Sequence, residues 1–277
     1  LPPGTVLDGE VLPWRDGHPL PFQALQTRIT RKTVSRKQLT EAPLCLLAYD
    51  LLEYGGHDIR DQPLAERRAI LEQLVGQTAH PTLQLSPGLP FEHWDRLSLY
   101  RDTARDHGAE GLMIKSLESP YHTGRKRGNW WKWKVDPLRL DVVLVAAQKG
   151  HGRRADLYTD YTLAVRSGDQ LVTLTKAYSG LTDREFREVD RFVKANVLEK
   201  FGPVRTVRPE LVFEIGFEGL SVSRRHKSGV ALRFPRILRW RRDKQAADID
   251  TLSDVWALLK AVSQPPGPPP APGGDAA

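Results

Sequence analysis

Residues 129–136 read NWWKWKVD, and the chain changes character directly after them. If this stretch is a strand, Lys132 and Lys134 point the same way as Trp130, and Trp131 and Trp133 point to the opposite, packed face. Two ammonium groups on one face, roughly 7 Å apart by strand rise, suit a phosphate. The plainer alternative is a surface strand with aromatic ballast. Upstream, strand and helix signals alternate. Downstream of Pro137 the texture is β-rich and punctuated by turns.

The upstream half opens on a strand. In TVLDGEVLPW (5–14), Asp8 and Glu10 share one face and Leu7 and Val11 the other, until Pro13 and the Asp16-Gly17 pair break the pattern. TRITRKTVSRKQL (27–39) reads as helix plus loop, and PLCLLAYDLLEYGG (43–56) as a buried strand ending at Gly55-Gly56. PLAERRAILEQLV (63–75) reads as a helix with proline near its first position, its apolar stripe made by Leu64, Ile70, Leu71, Leu74 and Val75. A second helix is expected over roughly 91–107, stopped at Gly108. GAEGLMIKS (108–116) and NWWKWKVD then form two strands around a Gly- and Arg-rich loop.

The downstream half contains LDVVLVAAQKG (140–150), DYTLAVRSGDQLVTLTKAYSG (160–180) and PELVFEIGFEGLSVS (209–223), with a hairpin signal at Ser167-Gly168-Asp169. One helix interrupts them near 183–199, with Phe186, Val189, Val193 and Val197 at helical spacing. Such an arrangement points to a small barrel of the OB type. The stretch 261–277, rich in proline and glycine, is expected to be disordered.

Charge is concentrated rather than spread. The 277 residues carry a net charge of +7, and residues 221–244 alone hold nine Lys/Arg and one Asp. A basic stretch of this kind is the footprint of a polyanion partner, or else a solvated basic face. The single cysteine, Cys45, excludes a disulfide framework and a Cys-rich zinc site, and fits a reducing, cytoplasmic compartment. No apolar run of about 18 residues is present, so no membrane span or membrane partner is expected. The eight histidines show no metal-ligand spacing, and neither GxxxxGK[ST] nor GxGxxG occurs.

Taken singly, LDGE, EGLMIK and the tyrosine of LAYDLL are weak signals. Their order is not. LDGEVL (7–12), LAYDLLEYGG (47–56), EGLMIK (110–115), NWWKWK (129–134) and RFPRILRWRRDK (233–244) follow one another. This set resembles the ATP-dependent DNA ligases of the covalent nucleotidyltransferase superfamily, over residues 1–258. The likeness to bacterial ligases extends to WWKWKVDPL, GHGRRADLYTDYT and KAYSGLTDREFREVD.

The resemblance implies an α+β fold. A partial nucleotidyltransferase (adenylation) domain over 1–137 would be followed by a C-terminal OB-fold β-barrel over 138–260. It implies roles by position. Glu10 would contact the ribose and Tyr49 would stack on adenine, with Tyr standing where relatives often have Phe. Glu110 would bind a divalent metal, Mg²⁺ or Mn²⁺. Lys132 and Lys134 would hold the α-phosphate. Arg241, Asp243 and Lys244 would orient the pyrophosphate of ATP. Arg224, Arg225, Lys227, Arg233, Arg236 and Arg239 would meet DNA. The implied partner is nicked duplex DNA, the implied cofactor ATP with the metal, the expected state a monomer associated with the nucleoid, and the setting DNA repair or replication.

In that family the nucleophilic lysine belongs to a Lys-x-Asp-Gly element upstream of LDGE. No such element occurs in these residues, and residue 1 is Leu. The expectation is therefore a ligase truncated at its N-terminus, without its own lysyl-AMP, acting at most on pre-adenylated nicks. Two alternatives stay open: a non-catalytic DNA-binding remnant, and an RNA ligase or capping-type nucleotidyltransferase.

Overall fold

The computed structural model describes residues 1–29, 31–150, 152 and 155–262. Most of the stretch expected to be disordered, from residue 263 on, lies outside the described residues. The chain divides between Val135 and Asp136 into two compact units, and both mix helix with strand.

In the first unit, strand β1 (Val6–Arg15) makes a two-residue turn into β2 (His18–Pro19). The turn is Asp16-Gly17, with φ of +51° and +82°, the left-handed pair that a tight hairpin demands. β1 therefore continues through Pro13, where the sequence pattern breaks. Proline is tolerated there because Trp14 N–H, not residue 13, donates to Pro43 O. Helices α1 (Phe22–Ile29) and α2 (Arg36–Glu41) follow, the latter opened by a Ser35–Gln38 capping box. β3 (Leu44–Tyr54) runs antiparallel to β1, and its last two residues pair with β4 (His57–Asp58).

α3 (Leu64–Thr78) packs Leu71, Leu74 and Val75 against Ala48 and Leu51 of β3. Each fully buried large aliphatic contributes about 1.5–3 kcal/mol. β5 (Leu83–Leu85) then pairs in parallel with β3, and α4 (Trp94–Asp102) leads through a 3-10 turn (Ala104–His107) to Gly108, whose φ of +69° ends it. β6 (Gly111–Lys115) and β7 (Trp130–Lys134) form a separate antiparallel pair.

The second unit is built on β8 (Leu138–Lys149), β9 (Tyr158–Ser167) and β10 (Gln170–Ala177). They form a meander whose second turn is Gly168-Asp169. α5 (Asp183–Ala195) starts at a Thr182–Glu185 capping box and stops at Asn196. Val197, which helical spacing places on this helix, lies beyond its end. It opens β11 (Val197–Phe201), opposite Val207 of β12 (Val204–Val207). β13 (Val212–Phe217) pairs with β8 on one side and β16 (Arg236–Trp240) on the other, while β14 (Gly219–Val222) and β15 (Val230–Arg233) make a hairpin of their own.

One backbone hydrogen bond, Ile237 N to Ser179 O at 3.0 Å, links the segment after β10 to β16. A final helix, α6 (Leu252–Val262), buries Val255 and Leu259 in the same core as Phe213, Phe186 and Tyr161. Among the described residues, no helix is long and apolar enough to cross a membrane.

Candidate functional site

The site in the first unit begins with an irregularity in β3. Asp8 pairs with Asp50 and Gly9 with Ala48, so Tyr49 is the extra residue of a β-bulge. A bulge re-aims a side chain. Gly9 makes room for it, since a Cβ there would stand 2.7 Å from Leu47 O and 3.0 Å from Ala48 Cα. The Tyr49 hydroxyl donates to Asp8 Oδ1 at 3.0 Å, and a second phenol, Tyr121, donates to Asp8 Oδ2 at 2.7 Å. Burial, then the bond to Asp8, pushes the Tyr49 phenol well above its ordinary value. The Asp8 bond, then burial, pushes Tyr121 up to about 12. Glu10, exposed on β1, is close enough to add to the field at Tyr49.

The β6–β7 pair supplies the rest. Its register sets Gly111 opposite Lys134, Met113 opposite Lys132 and Lys115 opposite Trp130, so these residues share one face. Lys115 Nζ lies 4.2 Å from the Tyr49 ring centre and 4.0 Å from that of Trp130, a cation between two aromatic faces. Burial pushes its ammonium below the ordinary lysine value, with Asp50 and Asp8 opposing. Trp130 in turn meets the Tyr121 ring edge-on at 5.6 Å. At the far end of β7, Lys134 Nζ bonds Glu110 Oε2 at 2.9 Å.

The arrangement is thus linear. Aromatic faces stand at one end, Lys132 and Lys134 follow along the strand, and a carboxylate closes the row. It has the polarity of a nucleotide, with a base at one end and phosphates at the other. Glu110 offers one carboxylate toward a hard cation. Among the described residues there is no group of three or more His, Cys, Asp and Glu side chains arranged to hold a metal.

The two tryptophans of the opposite face differ in how far they are covered. Trp131, predicted to be packed, is 49% exposed. Trp133 is half-buried under Arg101, whose guanidinium lies 5.6 Å from its ring and donates to Lys134 O. Among the described residues the hairpin belongs to no larger sheet, so little covers its second face at Trp131.

In the second unit the basic residues fall into two groups. Arg224, Arg225 and Lys227 stand exposed in the β14–β15 turn. Arg233 is exposed at its base, over the ring of Phe234. Phe234 is itself 64% exposed and has a φ of +52° before Pro235, a conformation disfavoured both for a side chain and for its place before proline. The other group lies on β16 and after it, and it bonds carboxylates. Arg236 bonds Glu218 at 2.9 Å, Arg239 bonds Glu214 at 2.7 Å, and Arg242 bonds Glu188. Arg241 is held by Asp243 at 2.7 Å and Asp141 at 2.8 Å, and Lys244 bonds the same Asp141 oxygen at 2.7 Å. The Asp243 bond holds the Arg241 guanidinium above its ordinary value, and the reciprocal bond holds Asp243 well below the carboxylate range.

Sequence reasoning missed Asp8 as a hub, together with Lys115, Tyr121 and Asp141. Asp8 and Lys115 belong to quoted motifs. Tyr121 and Asp141 carry no local signal, because their partners lie 113 and 100 residues away.

Residues 2–134 match the family described as ATP dependent DNA ligase domain, and residues 154–244 match the ATP dependent DNA ligase C terminal region. A probable DNA ligase of Koribacter versatilis is 42% identical over 93% of this chain and 48% of its own length. One from Opitutus terrae is 40% identical over 94% and 29%, and a DNA ligase of Methanoculleus marisnigri is 36% identical over 91% and 45%. The chain therefore spans about half or less of the length of these curated relatives. Among solved structures, one designated Pmar-Lig_PreS3 superposes with a TM-score of 0.66 at 20% identity, covering 86% of this chain and 51% of that one. A structure of Lig E DNA ligases does so with a TM-score of 0.59 at 19% identity, covering 85% and 76%. At these identities the two share the fold.

Proposed function

The chain belongs to the ATP-dependent DNA ligase family, and on that premise we propose that it is the part of a ligase that holds the adenylate and the nicked duplex during strand sealing. The observation that carries this reading is the β6–β7 face bearing Lys115, Trp130, Lys132 and Lys134, with the Tyr49 ring against Lys115 at one end and Glu110 bonded to Lys134 at the other. Tyr49 stacks on adenine and Glu10 takes the ribose. Lys132 and Lys134 meet the α-phosphate, where negative charge grows as the phosphoryl group is transferred. Fixed cations in place before the reaction lower the cost of that charge.

Glu110 is the carboxylate that would help hold Mg²⁺ or Mn²⁺, which when bound would neutralise phosphate charge. Arg241 and Lys244, with Asp243 aligning the guanidinium, serve the pyrophosphate of ATP. The exposed Arg224, Arg225 and Lys227 meet DNA phosphates, as does Arg233 at the base of their turn; Arg236 and Arg239 do so in competition with Glu218 and Glu214. These 277 residues contain no Lys-x-Asp-Gly element, so no residue here is assigned as the nucleophile.

The decisive experiment supplies a duplex with a pre-adenylated 5′-phosphate at the nick, Mg²⁺ and this chain. Sealing without ATP, lost in Lys132→Ala, supports the reading. Salt-sensitive binding of the duplex with no sealing under any divalent metal would favour a binding role alone.

A further inference from the structure

Tyr121 lies outside every motif quoted above. It sits in the connector between β6 and β7, and the backbone of that connector is held by Arg60 and by the first turn of α3. Its N–H donates to Arg60 O at 2.7 Å. Two residues earlier, Ser119 O accepts from Leu64 N and from Arg67 Nη1, each at 3.0 Å. Leu117 O accepts from Ala65 N at 2.9 Å. The hydroxyl therefore reaches Asp8 Oδ2 from a rigid support. Tyr49 occupies the other Asp8 oxygen, so the carboxylate is gripped by two phenols at once.

We propose that Tyr121 is a positioning residue of the nucleotide pocket: by fixing Asp8, it sets the angle of the Tyr49 ring before a base arrives. The inference rests on the reading of Tyr49 as the stacking aromatic. Tyr49 sits in a bulge, where the ladder does not hold it. A carboxylate with one donor can rotate about its own axis, whereas one with a donor on each oxygen cannot. The Tyr49 hydroxyl then has a fixed acceptor, and its ring is ordered in the empty pocket. Ordering in advance removes an entropic cost from binding. The edge-on contact of Tyr121 with Trp130 extends the same support to the second ring beside Lys115.

The test titrates ATP into the 277-residue protein by calorimetry, for wild type, Tyr121→Phe, Tyr49→Phe and the double variant, with thermal melts run in parallel. Tyr121→Phe should weaken ATP binding about tenfold, the scale of a lost hydrogen bond to a charged group. In the Tyr49→Phe background the same change should cost at most about twofold, because the link through Asp8 is already cut. A loss from filling of the protein core alone would be the same in both backgrounds. Equal losses, or ATP binding by Tyr121→Phe as tight as wild type, overturn the proposal. If Tyr121→Phe does not fold, Asp8→Asn carries the test, with the same expected loss and the same overturning result. Wild-type protein that binds no ATP would overturn the nucleotide reading, and this proposal with it. Tight wild-type binding that ignores Tyr121 would overturn this proposal alone.

Discussion

Arg67 Nε lies 2.8 Å from Asp50 Oδ1, and solvent reaches neither side chain. Asp50 follows Tyr49 in β3, and Arg67 also donates to the carbonyls of Gln62 and Ser119. One ion pair inside the first unit therefore ties the strand that carries Tyr49 to the connector that carries Tyr121.

Removing one partner of that pair should be far more damaging than removing both. Arg67→Met leaves a buried, uncompensated carboxylate and should lower stability by about 3–5 kcal/mol. Adding Asp50→Leu should recover part of that loss. Urea unfolding of the two variants checks both statements, and a single variant as stable as wild type would contradict them.

Alkaline titration should single out the gripped phenols. The Tyr121 value of about 12 lies above the 10.0 of a free tyrosine, and Tyr49 is also raised. The folded protein thus holds these protons longer than the unfolded chain. The stability Tyr121 contributes is complete well below pH 10 and is lost as pH rises from there through about 12, and that of Tyr49 is lost in the same direction. Absorbance at 295 nm should show a late-ionising fraction of the seven tyrosines, and Tyr121→Phe should shrink it.

Salt dependence should separate the two basic groups. Replacing Arg224, Arg225 and Lys227 with alanine should reduce the slope of log affinity against log salt by up to about 2.7 for duplex DNA, about 0.9 per phosphate contact. Arg236→Ala should change that slope less, since its guanidinium bonds Glu218. Fluorescence anisotropy between low and moderate salt measures both.

Gly180 should accept no side chain. Its φ is +107°, and a Cβ would fall 1.7 Å from Ile237 O. Gly180→Ala should cost at least about 1–3 kcal/mol from backbone strain alone. It should also disturb the Ile237–Ser179 bond, which slowed amide exchange at Ile237 would report in the wild-type protein.

What the sequence made readable was periodic or punctuated. The apolar stripe of α3, the strand signals on either side of the Gly- and Arg-rich loop, and the stop at Gly108 each follow from local chemistry. What escaped it was set by distant partners. Pro13 continues a strand because Pro43 O takes the next N–H. Trp131 is exposed because its hairpin joins no larger sheet. Local spacing extended α5 over Val197, but pairing with Val207 makes that residue a strand. The charge of 221–244 was countable, yet apart from Asp243 the carboxylates that bond it, Asp141, Glu188, Glu214 and Glu218, lie outside that stretch.

The bulge at Tyr49 has one more effect. Ala48 and Leu51 are three positions apart, an odd interval that plain alternation would send to opposite sides. Both are fully buried in the same cluster with Leu71 and Leu74 of α3. The extra residue shifts the phase of the strand, so that its downstream half meets the helix. Deleting Tyr49 would remove an aromatic ring and also turn Leu51 away from α3, so β3 cannot change length here without losing its core.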